Sequence, residues 1–331
     1  MPTELAFSTA DLAQVRFAVS PVWELTTSFR LLLRGAGPEH PVYGRWIAQV
    51  RPRVVGAGLL ADGWLTELLG CPGYAPDFLN PVPPGHAPGL AEELAVLAAT
   101  PEKQVRADLD HLARHQGALG PRLRALRAEP AAGLERLAAE LAAYWELALA
   151  PYWARIEALS EADVLHRARQ AAEHGIGRLL DELHTSMSWD GAGLRLRARK
   201  QPLGRPGAAP GLVLVPLAFG GERLRTRTGP PDPPLLGYPA RGAGTLWTAR
   251  PCSGLAALSP VLGRSRARLL AELDLPASTT ELAARTGLSP AAVSKYLTAL
   301  RDAGLTSAHR AGRSVLYART AAGEAVLAAA R

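Results

Sequence analysis

Ser278-Thr279-Thr280-Glu281-Leu282-Ala283-Ala284-Arg285-Thr286-Gly287-Leu288-Ser289-Pro290-Ala291-Ala292-Val293-Ser294-Lys295-Tyr296-Leu297 carries two helix starts and one helix stop in a single short stretch. Ser278 and Glu281 have the spacing of a capping box, in which the serine hydroxyl accepts the third N–H and the glutamate reaches back. That predicts a helix over 279–286, closed by Gly287. Ser289 is a second N-cap, and Pro290 takes the first helical position, where a missing N–H costs nothing. Ala283, Gly287 and Val293 then stand where a helix-turn-helix needs a small contact residue, a turn glycine and an apolar lock. On the second helix Val293, Leu297 and Leu300 share one face, which turns Ala291, Lys295 and Thr298 outward with Ser294 beside them.

An outer face of small and polar groups with one cation fits a major groove, where Ser, Thr and Lys hydrogen-bond base edges or phosphates. Downstream, Ala303-Gly304-Leu305 reads as a glycine helix stop, and 306–320 reads as strand, basic turn and strand. The turn His309-Arg310-Ala311-Gly312-Arg313-Ser314 forms a wing whose Arg310 and Arg313 reach phosphates or the minor groove. Tyr317 returns on the second strand. The candidate DNA-binding residues are therefore Ser289, Ser294, Lys295, Thr298, Arg310, Arg313 and Tyr317.

Read together, the residues from Leu288 to Leu297, Leu300-Arg301-Asp302-Ala303-Gly304-Leu305, Arg310-Ala311-Gly312-Arg313 and Tyr317 resemble the winged helix-turn-helix of ArsR-type bacterial repressors. The resemblance implies a one-component transcriptional regulator, a repressor acting by occlusion of operator DNA. It also implies a homodimer joined in part by helices over 260–273 and 321–331. Two-fold symmetry then demands an inverted repeat with half-sites roughly 34 Å apart. Founding members of that family sense metals through cysteines in the helix before the recognition helix. Here Thr279-Thr280-Glu281-Leu282-Ala283-Ala284-Arg285 contains none, and 321–331 offers only Glu324 as a ligand. Metal-independent regulation is expected, with no cofactor.

The charge distribution agrees. Of a net +7 from 37 Lys and Arg against 30 Asp and Glu, residues 259–331 hold ten bases against five acids. An anionic partner is expected at that end. The chain of 331 residues is long enough for two or three domains. A hydrophobic fraction of 48% with 20% charge excludes wholesale disorder. Cys71 and Cys252 lie far apart, which excludes a disulfide framework and a cysteine-rich metal site and fits a reducing cytoplasm. Met1-Pro2-Thr3-Glu4-Leu5 begins no secretory signal. The apolar run 211–221 is too short for a membrane span and contains Pro216, so no membrane partner is expected.

Upstream of the wing the fold class expected is mainly α with a smaller β-containing section. The expected divisions are a helical module over 1–186, a β-containing section with Pro/Gly-rich loops over 187–257, and the winged helix over 258–331. Breaks fall at Gly35-Ala36-Gly37-Pro38, at Asn80-Pro81-Val82-Pro83-Pro84-Gly85 and at Gly120-Pro121. Leu134, Leu137, Leu141, Trp145 and Leu149 line one helical face. Leu194-Arg195-Leu196-Arg197-Ala198-Arg199 alternates as a strand does, and 212–217 is a short buried run. Gly229-Pro230-Pro231-Asp232-Pro233-Pro234 is loop.

Phe17-Ala18-Val19-Ser20-Pro21-Val22-Trp23-Glu24, Ala162-Asp163-Val164 with Arg167-Ala168-Arg169, and Tyr238-Pro239-Ala240-Arg241-Gly242 resemble regulators of high-GC bacteria that carry an uncharacterised domain before the winged helix. That likeness implies an architecture and names no ligand; an unidentified small-molecule effector is a further candidate partner. His111 and His115, near Asp108 and Asp110, have a metal-binding spacing but read as a solvated helix face. Asp181 and His184 read as a helix-end pair, and Tyr144, Trp145, Tyr152 and Trp153 as helix packing rather than a ligand wall. Trp23, Trp46 and Trp64 face the same choice. No H-E-x-x-H, Walker loop, G-x-S-x-G or strand-borne G-x-G-x-x-G occurs, so no catalytic residue is assigned and the chain reads as a non-enzyme. The competing classes are a small-molecule enzyme with an autoregulatory winged helix, and a winged helix that binds protein.

Overall fold

A computed structural model of the chain describes residues 3–6, 9–71, 73–191, 193–196, 209–248, 255–311 and 314–330. It is mainly helical, with three small sheets. Contacts group the chain into two units. One comprises Met1–Ala36, Leu59–Leu141 and Leu159–Ala243, and the other Gly37–Gly58, Ala142–Ala158 and Gly244–Arg331.

The first unit holds seven strands among its described residues: β1 (Thr3–Ala6), β2 (Val15–Phe17), β3 (Met187–Trp189), β4 (Gly193–Leu196), β5 (Leu212–Leu217), β6 (Arg225–Arg227) and β7 (Leu235–Pro239). They form an antiparallel sheet β1-β4-β3 and a mixed sheet β2-β5-β7-β6. β5 is parallel to both neighbours and buried throughout, which is why it reads as a continuous apolar run instead of alternating. Successive side chains still take opposite faces. Leu212 and Leu214 pack with Leu179, Leu194 and Leu196, whereas Val213, Val215 and Leu217 pack with Ala18, Trp23 and Leu235. Pro216 is tolerated in this central strand because β2 pairs only with Leu212–Leu214, and beyond that point the ladder continues on β7 alone. Gly237 of β7 is required by close approach: a Cβ there would stand 3.2 Å from the Trp23 ring and 2.7 Å from Leu217 Cδ1.

The mainly helical start also holds two short strands. β1 and β2 lie in the N-terminal stretch, and at three or four residues each they are too short for alternation to be read. β4 realises the first part of the predicted alternating strand, whose Arg197, Ala198 and Arg199 lie outside the described residues.

The second unit contains β8 (Ala277–Ser278), β9 (Thr306–Ala311) and β10 (Ser314–Arg319), an antiparallel sheet in the order β8-β10-β9. Helices Thr279–Thr286 and Pro290–Asp302 pack on it around Leu270, Leu282, Val293, Leu297 and Leu300. The helix expected over 260–273 is two helices, Leu255–Leu262 and Arg264–Glu272. They part at Gly263, whose φ of +81° a side-chain-bearing residue adopts only with strain. Gly37–Gly58 and Ala142–Ala158 belong to the same unit through an aromatic core. The Trp46 and Trp247 rings lie 6.2 Å apart, Tyr152 meets Trp247 edge-on at 5.6 Å, and Trp46 Nε1 donates to the Ala148 carbonyl at 3.0 Å. Among the described residues no helix is long and apolar enough to cross a membrane.

Candidate nucleic-acid interface

The two helices of the second unit begin as their sequence requires. Ser278 Oγ accepts from the Glu281 N–H, and the Glu281 carboxylate accepts from the Ser278 N–H at 2.7 Å, a complete capping box. Burial acts against the Glu281 carboxylate, but the hydrogen bonds from Ser278 hold its pKa below the ordinary value. The helix Thr279–Thr286 ends at Gly287, in the left-handed conformation with φ +70°. Ser289 Oγ then accepts from the Ala292 N–H and Pro290 opens the next helix.

On Pro290–Asp302 the inner face is complete: Val293 and Leu297 are fully buried and Leu300 nearly so. Ala291, Ser294 and Lys295 are exposed on the outer side, and Thr298 is half-buried beside them. Ser289 is exposed at the helix start. Its oxygen serves the cap while its hydroxyl proton remains available to an acceptor. Toward the helix end Arg301 pairs with Asp302 at 3.3 Å, which partly neutralises that cation.

The wing is β9 and β10. Arg310 is exposed on β9, opposite Val315 in the register, and Val315 is itself 45% exposed. Arg313, expected at the tip, lies outside the described residues. Tyr317 is 9% exposed and packs with Leu282, Val293 and Leu297, because alternate residues of β10 face the helices. His309 is half-buried, its Nε2 within 2.8 Å of Ser307 Oγ, and burial lowers its pKa.

The other sequence candidates take structural places. His115 stacks on Tyr74 at a centroid distance of 5.0 Å and His111 packs against it tilted at 4.6 Å, while Asp110 pairs with Arg127 and Asp108 accepts from the Phe78 N–H. Among the described residues no group of three or more His, Cys, Asp or Glu is placed to hold a metal. Asp181 and His184 do not pair: Asp181 accepts from the Trp189 N–H, and His184 contacts Ser186 Oγ and the Glu222 carbonyl. Trp145 and Trp153 pack at 4.9 Å, and Tyr144 and Tyr152 are buried.

Two helices at a tight turn, an outer polar face and a β-hairpin define a winged helix-turn-helix, a class of DNA-binding module. A family model described as bacterial regulatory protein, arsR family, matches residues 268–307. This C-terminal stretch, from within Arg264–Glu272 to the start of β9, is an ArsR-family helix-turn-helix, the domain of DNA-binding transcription regulators. No curated protein matches the chain, and no solved structure matches it.

Proposed function

We propose that the chain is a cytoplasmic one-component transcriptional repressor, not an enzyme, that binds an inverted-repeat operator as a homodimer, without a metal, through residues 258–331. The observation that carries this reading is the outer face of Pro290–Asp302, where Ser294 and Lys295 are exposed while Val293, Leu297 and Leu300 anchor the helix from behind. In the bound state Lys295, Ser294 and Thr298 contact bases or adjacent phosphates. Ser289, Arg310 and Arg313 anchor the backbone.

Dimer formation draws on the flanking helices. Val261 on Leu255–Leu262 is 79% exposed, and Ala321–Ala329 presents several exposed alanines. Metal independence is supported by the absence of cysteine from Thr279–Thr286 and by the engagement of Glu324 with Arg319 at 3.1 Å.

The test is binding of the full chain to its own upstream intergenic DNA against scrambled competitor at two salt concentrations, with oligomeric state measured alongside. Specific, salt-sensitive binding by a dimer is expected. Equal affinity for both DNAs, or binding by a monomer, overturns the reading.

A further inference from the structure

The first unit encloses a cavity of about 1060 Å³, at the upper end of the size that houses small molecules. The helix Pro21–Leu33 contributes Trp23, Thr26 and Arg30 to its lining, and β6 contributes Arg225 and Arg227. Two of these guanidinium groups are buried with donors to spare. Arg30 is 8% exposed. One of its terminal nitrogens donates to the Tyr74 carbonyl at 2.7 Å, while its Nε–H has no acceptor. Among the described residues Arg30 makes no ion pair. Burial, then the nearby charges of Arg225 and Arg34, lower its pKa to about 10. Arg227 is 4% exposed, donates to Asp232 at 2.7 Å and to the Asp77 carbonyl at 3.2 Å, and leaves one buried terminal nitrogen without an acceptor.

Burying a guanidinium beside a second one is unfavourable unless an anion compensates it. Among the described residues no carboxylate pairs with Arg30, and Cys71 is the smallest of the influences on its charge. Acids do line the cavity: Asp77 accepts from the Gly229 N–H at 2.9 Å, and Asp108 accepts from the Phe78 N–H at 3.0 Å and from the Asp77 N–H and keeps lone pairs for further donors.

We infer that this cavity binds an organic anion, a carboxylate or phosphate that also carries hydroxyl or amino groups. Arg30 with Arg225 receives the anionic group, since a planar guanidinium matches carboxylate or phosphate oxygens in pairs. Arg227 adds a further donor. Asp108 accepts from the ligand's hydroxyl or amino groups, and Trp23 and Tyr74 cover its apolar part. The site belongs to the first unit and requires no DNA. Only its role as the effector site rests on the repressor reading.

Calorimetric titration of the full chain, without DNA, tests it. The probes are gluconate, glucose 6-phosphate and glutamate, with uncharged sorbitol as the control. Saturable binding of at least one anion and none of sorbitol is expected, weakened at least tenfold in Arg30→Gln and in the less buried Arg225→Gln and unchanged in Lys103→Gln. Lys103 is exposed and does not line the cavity. A preference for glucose 6-phosphate over gluconate and glutamate assigns a phosphate, and the reverse a carboxylate. Binding of no anion, equal binding of sorbitol, or undiminished binding in Arg225→Gln overturns the inference. Loss of DNA binding in the same preparations leaves it untouched.

Discussion

The Tyr238 hydroxyl donates to the Asp163 carboxylate at 2.7 Å, inside the first unit and 75 residues apart in the chain. Asp163 is 2% exposed, accepts also from the Arg241 N–H at 3.1 Å, and has Arg167 at 3.9 Å. Two stretches that the sequence presents as separate likenesses thus meet at one buried carboxylate. Burial, then the adjacent charge, pushes the Tyr238 hydroxyl well above its ordinary range. Removing the hydroxyl leaves a buried acceptor short of a donor, so Tyr238→Phe is expected to lower stability by about 1–3 kcal/mol. Urea unfolding checks this, with DNA affinity unchanged in the folded protein.

The first unit is expected to lose stability as pH rises from about 5 to 7. Glu24 is fully buried and accepts from the N–H groups of Ala218 and Phe219, while Glu93 accepts from Ser20 Oγ and the Val22 N–H. Burial raises both to about 7 from an ordinary 4.5. A carboxyl raised in the folded state makes that state the better proton binder, so its contribution is fullest below the unfolded value and is lost as pH climbs through the folded one. A tenfold difference in proton affinity between folded and unfolded chains corresponds to about 1.4 kcal/mol. The melting temperature should fall between those pH values, and the fall should shrink in Glu24→Gln. An unaltered slope contradicts the assignment.

Ser278→Ala is expected to cost about 1 kcal/mol by removing the hydroxyl that accepts the Glu281 N–H. The Glu281 side of the box has the opposite pH sign to Glu24. Its pKa is lowered, so its contribution is present above the unfolded value and lost as pH falls through the folded one. Thermal unfolding of Ser278→Ala at neutral pH, and of the parent protein at falling pH, checks both statements.

Lys295→Ala should alter sequence preference, whereas Arg310→Ala and Arg313→Ala should weaken all DNA alike and each reduce the salt slope by about one. Binding-site selection with the three variants tests the division. Identical specificity profiles would sink it.

Trp46→Ala should destabilise the second unit by about 3–5 kcal/mol, the usual cost of emptying a large buried aromatic site. Although Trp46 lies far upstream of the recognition helix, unfolding of the winged helix, followed by exchange of the Val293 and Leu297 amides, should report the loss.

The helix-turn-helix was legible because each of its determinants acts within a few residues. Ser278 meets Glu281, Ser289 meets Ala292, and Gly287 turns the backbone by itself. The face of Val293, Leu297 and Leu300 follows from helical period alone. The packing of Tyr317 against the helices is not legible locally, because which side of β10 faces them is decided by the sheet and not by the strand's own residues.

By itself the sequence determined the helix caps, the turn and the polar outer face, since these are short-range matters of hydrogen-bond geometry and side-chain period. Tertiary structure alone decided that β2 pairs parallel to β5, that Glu24 closes on Phe219 across 195 residues, and that Gly37–Gly58 shares a unit with the winged helix, with Trp46 packed on Trp247. It alone placed Arg30 near Arg225 around one cavity. Such pairings are set by the packing of the whole apolar interior, a sum over many weak contacts that no local stretch of chain contains.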